Sequence, residues 1–306
     1  MSVMEKAREF IYRNARPLEL AQWQYHFENG SKENVLSVLS FYQNKDGGFG
    51  HALEADSWNP NSSPVQTWAA TEILKKINFS DSNHKIIKGI LDYLQSGRDF
   101  NGHFWYNIIK SNNDFPHAQW WYAKDDNNIT CTNYNPTVCL AGFIIRFADK
   151  NSRLFQLGCR IAKEAAAQLM SDERKNDMHT ISCYIRFLQY CTETKTNEII
   201  DLQALENKLT EQVNNLLTRD TTEWKTSYIC KPSQFFNSSN SIFYINNEDI
   251  AEYECEYIVK TQLEDGSWDI PWKWKDFPRE WAVSKNWWKS GLIIANMLYL
   301  QGFGKL

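Results

Sequence analysis

Residues 43–49 (QNKDGGF) and residues 262–268 (QLEDGSW) share one pattern: Gln, a short polar stretch, Asp-Gly, a small residue and an aromatic. Each stretch follows an apolar run with helical spacing, which is typical of a helix that ends in a tight turn. Gly there supplies the left-handed backbone that such a turn needs. The Gln amide can bond free backbone groups at a neighbouring helix end. The pattern therefore predicts stacked copies of one helical unit.

A looser copy begins at Gln95 and ends in residues 101–105 (NGHFW). Gln95 lies 52 residues after Gln43, and Gln262 lies 167 residues after Gln95, which is close to three further steps of similar size. We therefore expect two degenerate copies between Gln95 and Gln262.

Helical spacing and capping signals predict helices along the whole chain, and no stretch of useful length alternates with the period of a strand. Ser63 is the expected N-cap of one helix, with Pro64 at its first position and Gln66 completing a capping box. Ser284 is the expected cap of the last helix. The predicted helices span residues 3–14, 17–28, 31–43, 63–74, 81–94, 135–147, 154–170, 178–190, 202–217, 248–262 and 284–297, with an obscure partner within 233–244.

The turn pattern resembles the QW motif (Gln, a short gap, Gly, any residue, Trp) of squalene and oxidosqualene cyclases and of protein prenyltransferase β subunits. Residues 262–268 match it in full, whereas Phe49 replaces Trp in the first copy. The resemblance implies an all-α fold, an α/α toroid of about five to six helical hairpins around a central cavity. We expect one domain over residues 1–306, with an N-terminal helical pair in 1–30 and QW-type repeats in 31–306.

Composition excludes several classes of function. The net charge is −4 and no basic stripe is visible, so nucleic acid is not an expected partner. The most apolar stretches, 137–148 and 291–300, are too short to span a bilayer, although peripheral membrane contact stays open. The first residues contain no apolar signal core, and the seven Cys form no CxxC pair. We therefore expect a cytoplasmic protein with reduced, mostly buried thiols.

The strongest candidate for catalysis is the loop after the first turn, because it holds His51, Glu54 and Asp56 within six residues. A carboxylic acid among aromatic rings has a raised pKa, since desolvation disfavours its charged form. Such an acid can protonate an alkene or a glycosidic oxygen, with His51 orienting it. The alternative interpretation is that Asp56 and Asn59 only tie the loop together and that Glu54 is solvated.

Asp125 and Asp126 form a weaker candidate, for Mg²⁺ and diphosphate binding. Hard cations need several oxygen ligands, and a later Asp of the DDxxD type is missing, so a turn is the alternative interpretation. No Asp-x-Asp-Asp acid motif of the cyclases occurs, and no His follows Cys255 to complete a prenyltransferase-type zinc site. We expect no cofactor and no resident metal, with Mg²⁺ involved only if a diphosphate is bound.

Thirteen Trp residues favour an aromatic-lined cavity. Ring faces stabilise a cation and also stack on sugars, although any single Trp is equally well explained by packing. Many of them lie near two long connections, 96–133 and 268–284, which are expected to cover the cavity. The expected substrate-binding residues are Trp58, Trp68, Trp105, Trp120, Trp121, Tyr134, Trp287 and Trp288.

Three functions remain open from the sequence. The first is a terpenoid cyclase-like enzyme that protonates a small hydrophobic isoprenoid substrate. The second is a carbohydrate-active (α/α) barrel hydrolase or lyase, because paired carboxylates and Trp platforms also suit sugars. The third is a non-catalytic toroid that binds an isoprenoid or another lipid.

Overall fold

The structure, a computed structural model, describes residues 1–124, 133–171, 176–225 and 227–306. Within these ranges the chain is all-α, as predicted, and its few β-bridges are isolated pairs outside any strand. The helices are α1 (Val3–Asn14), α2 (Pro17–Phe27), α3 (Lys32–Leu39), α4 (Pro64–Lys76), α5 (Lys85–Gln95), α6 (Thr137–Phe147), α7 (Arg153–Ser171), α8 (Met178–Thr194), α9 (Leu202–Leu216), α10 (Glu248–Thr261) and α11 (Pro278–Gly302).

Most helix ends lie within a few residues of the predicted ones, but two regions differ. The last helix begins at Pro278, because proline suits the first helical position and its missing N–H costs nothing there. Ser284 is therefore a fully buried residue inside α11 and not its cap. The partner expected within 233–244 is reduced to a short 3₁₀ turn, Pro232–Gln234.

The chain divides into two compact units. In the unit of residues 40–212, α4 packs on α6 and α6 packs on α8, while α5 packs on α7. Alternate helices are thus neighbours, which is the arrangement of stacked hairpins. Helix α6 is buried from Thr137 to Ile145, because it packs on α4 and α8 and also on α5 and α7.

The other unit combines residues 1–39 with residues 213–306. Helix α1 packs on α2 and α11, and α11 also packs on α2 and α10. Its core contains Trp23, Ile258, Met297 and Tyr299, which are almost inaccessible to water. The first and last helices of the chain are therefore neighbours in one core.

The turn at residues 43–49 docks on the first turn of α5. Gln43 Nε2 donates to the carbonyls of Gly47 (2.9 Å) and Ile86 (3.1 Å). Gly47 has a φ of +86°, and a Cβ there would lie 2.0 Å from the Gly89 carbonyl oxygen. This position therefore requires glycine both for its backbone conformation and for the close approach of α5.

The turn at residues 262–268 docks on α1 in the same way. Gln262 Nε2 donates to the carbonyls of Gly266 (3.0 Å) and Val3 (2.9 Å). Gly266 has a φ of +88°, and a Cβ there would lie 2.0 Å from the Lys6 carbonyl oxygen. In both turns the docked helix offers one carbonyl to the Gln amide group, and the carbonyl three residues later lies where a side chain on the Gly would be. The two turns are thus equivalent copies.

The third copy follows a different alignment from the predicted one. Gln95 is exposed, and Phe100 bridges Trp105 as Gln43 bridges Phe49. The Trp105 amide bonds Thr137 Oγ1 at 2.9 Å, just as the Phe49 amide bonds Thr67 Oγ1 at 3.1 Å. Residues 100–105 therefore form a third copy of the turn, in which Phe100 occupies the position of Gln43. Gln95 does not belong to this copy.

The six described cysteines are free thiols and five of them are buried, which confirms for them the prediction of reduced, mostly buried thiols. None of the described helices combines the length and the hydropathy needed to cross a bilayer.

Candidate functional site

The loop of residues 50–62, between the first turn and α4, is held by Gln66. Gln66 Oε1 accepts from the Leu53 amide (2.9 Å), and Gln66 Nε2 donates to the Asn59 carbonyl (3.0 Å). Ser63 caps α4 as predicted, because its hydroxyl accepts from the Gln66 amide. The capping-box prediction for the Gln66 side chain was wrong, since that side chain fixes the loop instead.

A second loop, residues 109–122, pairs with the first. The Trp58 amide donates to the Pro116 carbonyl and the Ala118 amide donates to the Asp56 carbonyl, both at 2.9 Å. Asn59 Nδ2 also donates to Asn112 Oδ1 at 2.9 Å. The two loops therefore form one platform beside the N-terminus of α4, which we call the Asp56 platform (residues 50–62 and 109–122).

The three candidate catalytic residues have different environments. Asp56 is only 3% exposed, whereas Glu54 is half-buried and His51 is exposed. His51 Nε2 lies 2.9 Å from Asn44 Oδ1. The Asn44 amide group in turn donates to Pro60 O and Ser62 Oγ, so the His51 ring nitrogen acts as the donor to Asn44. His51 thus bonds the preceding turn, and Asp56 is the buried carboxyl of the platform.

The candidate aromatics of this unit fall into two groups. Trp105 and Tyr134 are buried packing residues, with Trp105 against Phe100 (ring centroids 4.6 Å apart) and Tyr134 against Phe104 (4.9 Å). The others lie on or next to the Asp56 platform: Trp58, Trp68 and Trp121 are half-buried, and Trp120 is 38% exposed.

Two of these indole groups have unused hydrogen-bonding capacity. Trp68 Nε1 and Trp121 Nε1 are both buried, and neither has a hydrogen-bond partner among the residues the structure describes. Within the platform, Asn112 Nδ2 donates to the Trp121 carbonyl at 3.1 Å. A ligand that offers acceptor atoms would satisfy these donors, although Trp105 Nε1, in a packing residue, also lacks a partner among the described residues.

Trp287 and Trp288 lie in the other unit, within an aromatic cluster near the start of α11. Trp288 meets Trp272 edge to face at 5.2 Å, and Trp272 meets Tyr228 at 5.8 Å. The guanidinium group of Arg16 lies 4.9 Å from the centre of the Trp287 ring. Trp288 therefore packs against another indole ring, and Trp287 packs against a cation.

Sequence reasoning missed an ion pair in this cluster. Arg16 Nε bonds both oxygens of Glu19, at 2.9 and 2.7 Å, and both side chains are largely buried. Burial raises the pKa of Glu19, and the Arg16 charge and hydrogen bonds oppose this. The available signal was Arg16 directly before Pro17, at a helix start with an acid in the first turn.

Sequence reasoning also missed Asn112 and His117, which hold the Asp56 platform. Asn112 is buried, and His117 Nδ1 lies 2.6 Å from the Phe115 carbonyl. Both lie in a long connection without helical periodicity, so no local pattern distinguished them from solvent-exposed loop residues.

In the described ranges no group of three His, Cys, Asp or Glu side chains is arranged to hold a metal ion. Asp125 and Asp126 lie outside the described residues.

No protein-family model matches this chain, and neither a curated protein nor a solved structure is significantly similar to it.

Proposed function

We propose that the helical hairpins close into an α/α ring. The support is the equivalence of the two docked turns: the turn after α10 uses α1 as the turn at 43–49 uses α5, so α1 takes the place of a next repeat. Small-angle scattering tests this. A compact chain of this length has a radius of gyration of about 19 Å, whereas an open superhelix would have a clearly larger one.

We further propose that the chain is a terpenoid cyclase-like enzyme with Asp56 as its acid. The observation that supports this is the burial of Asp56 in a platform fixed by hydrogen bonds from two loops and α4. A fixed acid loses no orientational freedom when it reacts. The Asp56 proton would add to one alkene carbon of an isoprenoid, breaking the π bond and leaving a carbocation. A later loss of a proton from the cation would restore the acid, so no cofactor is required.

The platform aromatics have a defined role in this proposal. The ring faces of Trp58, Trp68 and Trp121 would stabilise the developing cation, each by about 1–2 kcal/mol when desolvated. Because His51 bonds Asn44, Asp56 would be oriented by the platform backbone and not by His51. Glu54, which is half-buried, would take no part in proton transfer.

A carbohydrate-active enzyme is the second candidate, and one specific observation favours it. The platform that holds Asp56 contains several buried polar side chains, among them Ser57, Asn59 and Asn112, and two nearby indole N–H groups lack a partner among the described residues. Hydroxyl groups of a sugar would satisfy such donors, whereas an isoprenoid chain would not.

Product analysis separates these functions. The purified protein is incubated with squalene, geranylgeranyl diphosphate and a panel of oligosaccharides, alongside Asp56→Asn and the control Glu54→Gln. We expect a cyclised or hydrated isoprenoid, with turnover lost in Asp56→Asn and kept in Glu54→Gln. Cleaved oligosaccharide would support the second candidate. Binding of an isoprenoid without any product would point to the non-catalytic toroid, and unchanged turnover in Asp56→Asn would exclude this acid.

A further inference from the structure

A pocket lies at the C-terminal ends of three helices, α4, α6 and α8. It has a volume of about 240 Å³, and its lining includes Leu74, Lys75, Phe143, Arg146, Tyr190 and Glu193. The Asp56 platform adjoins the opposite end of α4. Since that helix has 13 residues, the two sites are about 20 Å apart along it.

The charged groups around this pocket do not balance. Arg186 is matched by Glu72, with guanidinium nitrogens 2.8–3.1 Å from both carboxylate oxygens. Lys75 and Arg146, by contrast, share one carboxylate: Lys75 forms an ion pair with Glu193, and Arg146 Nε lies 3.4 Å from Glu193 Oε2. The pocket itself therefore carries one positive charge in excess.

The remaining wall of the pocket is aromatic. The Phe143 and Phe147 rings lie 4.7 Å apart, and Tyr190 meets both of them edge to face, at 6.2 and 6.4 Å. Lys75 Nζ lies 5.4 Å from the centre of the Tyr190 ring. One side of the pocket is thus apolar and the other carries two cations.

We propose that this pocket binds a small organic anion with an aromatic or short apolar body. The anionic group would lie between Lys75 and Arg146 in place of the Glu193 carboxylate, and the body would pack on Phe143, Phe147 and Tyr190. Size is consistent with this, because an engineered apolar cavity of about 150 Å³ binds benzene. The site would be separate from the proposed reaction site.

Two further observations bear on this proposal. Burial, together with the charges of Arg186 and Arg146, lowers the pKa of Lys75 to about 8, while Glu72 opposes the shift. Cations at helix C-termini also offset the helix dipole, which is a sufficient reason for Lys75 and Arg146 on their own. The helix dipole does not account for a cavity with aromatic walls beside these two cations. Glu193 is the group that distinguishes the two explanations, since its carboxylate would compete with a bound anion.

Isothermal titration with phenylacetate, and with phenylacetamide and phenethylamine as neutral and cationic analogues, tests the proposal. We expect phenylacetate to bind in preference to both analogues. Loss of a charged hydrogen-bond partner should weaken it about tenfold in Lys75→Met and in Arg146→Met. Glu193→Gln should strengthen it severalfold, because the competing carboxylate is gone. Lys88→Met, which removes an exposed lysine of α5, should leave affinity unchanged.

Glu193→Gln keeps the test decisive if either cation variant does not fold. Equal binding of all three probes, unaltered affinity in the pocket variants, or no binding of phenylacetate at millimolar concentration would each overturn the proposal. A cation-only role at the helix ends predicts that Glu193→Gln changes stability and not affinity.

Discussion

The turns at 43–49 and 262–268 share their backbone geometry, their Gln and Gly contacts and their docking on a neighbouring helix, yet the segments after them differ. After the first comes a loop with a buried Asp56. After the second comes Asp269, whose side chain is 80% exposed, and then an aromatic segment that packs near the start of α11. The turn is therefore a structural element that joins helices. Chemistry, where present, lies in the variable loop behind it.

The largest expected effect on stability comes from adding one carbon atom to the glycine of each turn. Gly47→Ala and Gly266→Ala force a left-handed backbone on alanine and place its Cβ on a carbonyl oxygen of the docked helix. We expect each to cost about 3–5 kcal/mol in the free energy of unfolding. Guanidinium unfolding followed by circular dichroism measures this.

The matched control for the glycine variants is Gly291→Ala. Gly291 lies inside α11, and its added Cβ would meet no heavy atom within 4 Å. Alanine there should stabilise the protein by up to about 1 kcal/mol. A cost below about 1 kcal/mol at Gly47 or Gly266 would show that the close approaches are not maintained.

The glutamine contacts give the next largest effect. In Gln43→Glu and Gln262→Glu a carboxylate oxygen faces two carbonyl oxygens that had accepted from an amide. We expect a loss of about 2–3 kcal/mol from each, by the same measurement. Gln95→Glu should change stability by less than about 0.5 kcal/mol, because Gln95 is exposed. A large effect at Gln95 would restore the alignment expected from the sequence.

Exchanging the aromatic residue that ends each turn tests whether the two copies differ in their packing. Trp268 Nε1 donates to the Ile258 carbonyl at 2.9 Å, and phenylalanine cannot replace that bond. Trp268→Phe should cost about 1–2 kcal/mol. Phe49 is fully buried, so Phe49→Trp should cost a similar amount through overpacking. If both exchanges were neutral, the two aromatics would be interchangeable and the copies more alike than the structure indicates.

The smallest effect is a pH dependence in the second turn. Partial burial alone would raise the pKa of Asp265, but hydrogen bonds from Ser267 and the nearby Lys289 more than offset this and lower the pKa below its usual value. A lowered folded-state pKa adds stability that is present above the unfolded-state value and is lost as pH falls through the folded-state value.

Unfolding of wild type and Asp265→Asn between about pH 6 and pH 2.5 measures this contribution. We expect a difference below about 1 kcal/mol at the upper end, because Asp265 is partly exposed, and convergence of the two proteins toward the acid end. A difference that grows on acidification would reverse the assigned sign.

The helices were predictable because periodicity and caps are local. The Val3–Asn14 helix, the Ser63 cap and the docked Gln turns could all be anticipated from a few neighbouring residues. The start of α11 was not, because Pro278 and Ser284 are both good start signals and burial of Ser284 decided between them. Gln95 was misassigned since spacing along the chain does not show which residue faces the turn.

The candidate site was predictable only in part. The position of Asp56 after a repeat turn indicated the loop, but its burial depends on residues 109–122, more than fifty positions later. Likewise, the pocket beside Lys75 is formed by three helices. The Arg16–Glu19 ion pair belongs to an aromatic cluster only because Trp287, far along the chain, packs against Arg16. Such sites depend on long-range packing, which a local pattern does not record.

The bond between Gln262 and the carbonyl of Val3 joins residues 259 positions apart. On the ribosome, the first helix is made long before the turn that receives it. At about 5–20 residues per second this interval is roughly 13–50 s. Throughout it, Phe10 and Ile11 have no completed core to enter. Nascent chains halted before residue 262 should therefore recruit holdase chaperones and be cleaved readily near their N-terminus, and release of the finished chain should end both.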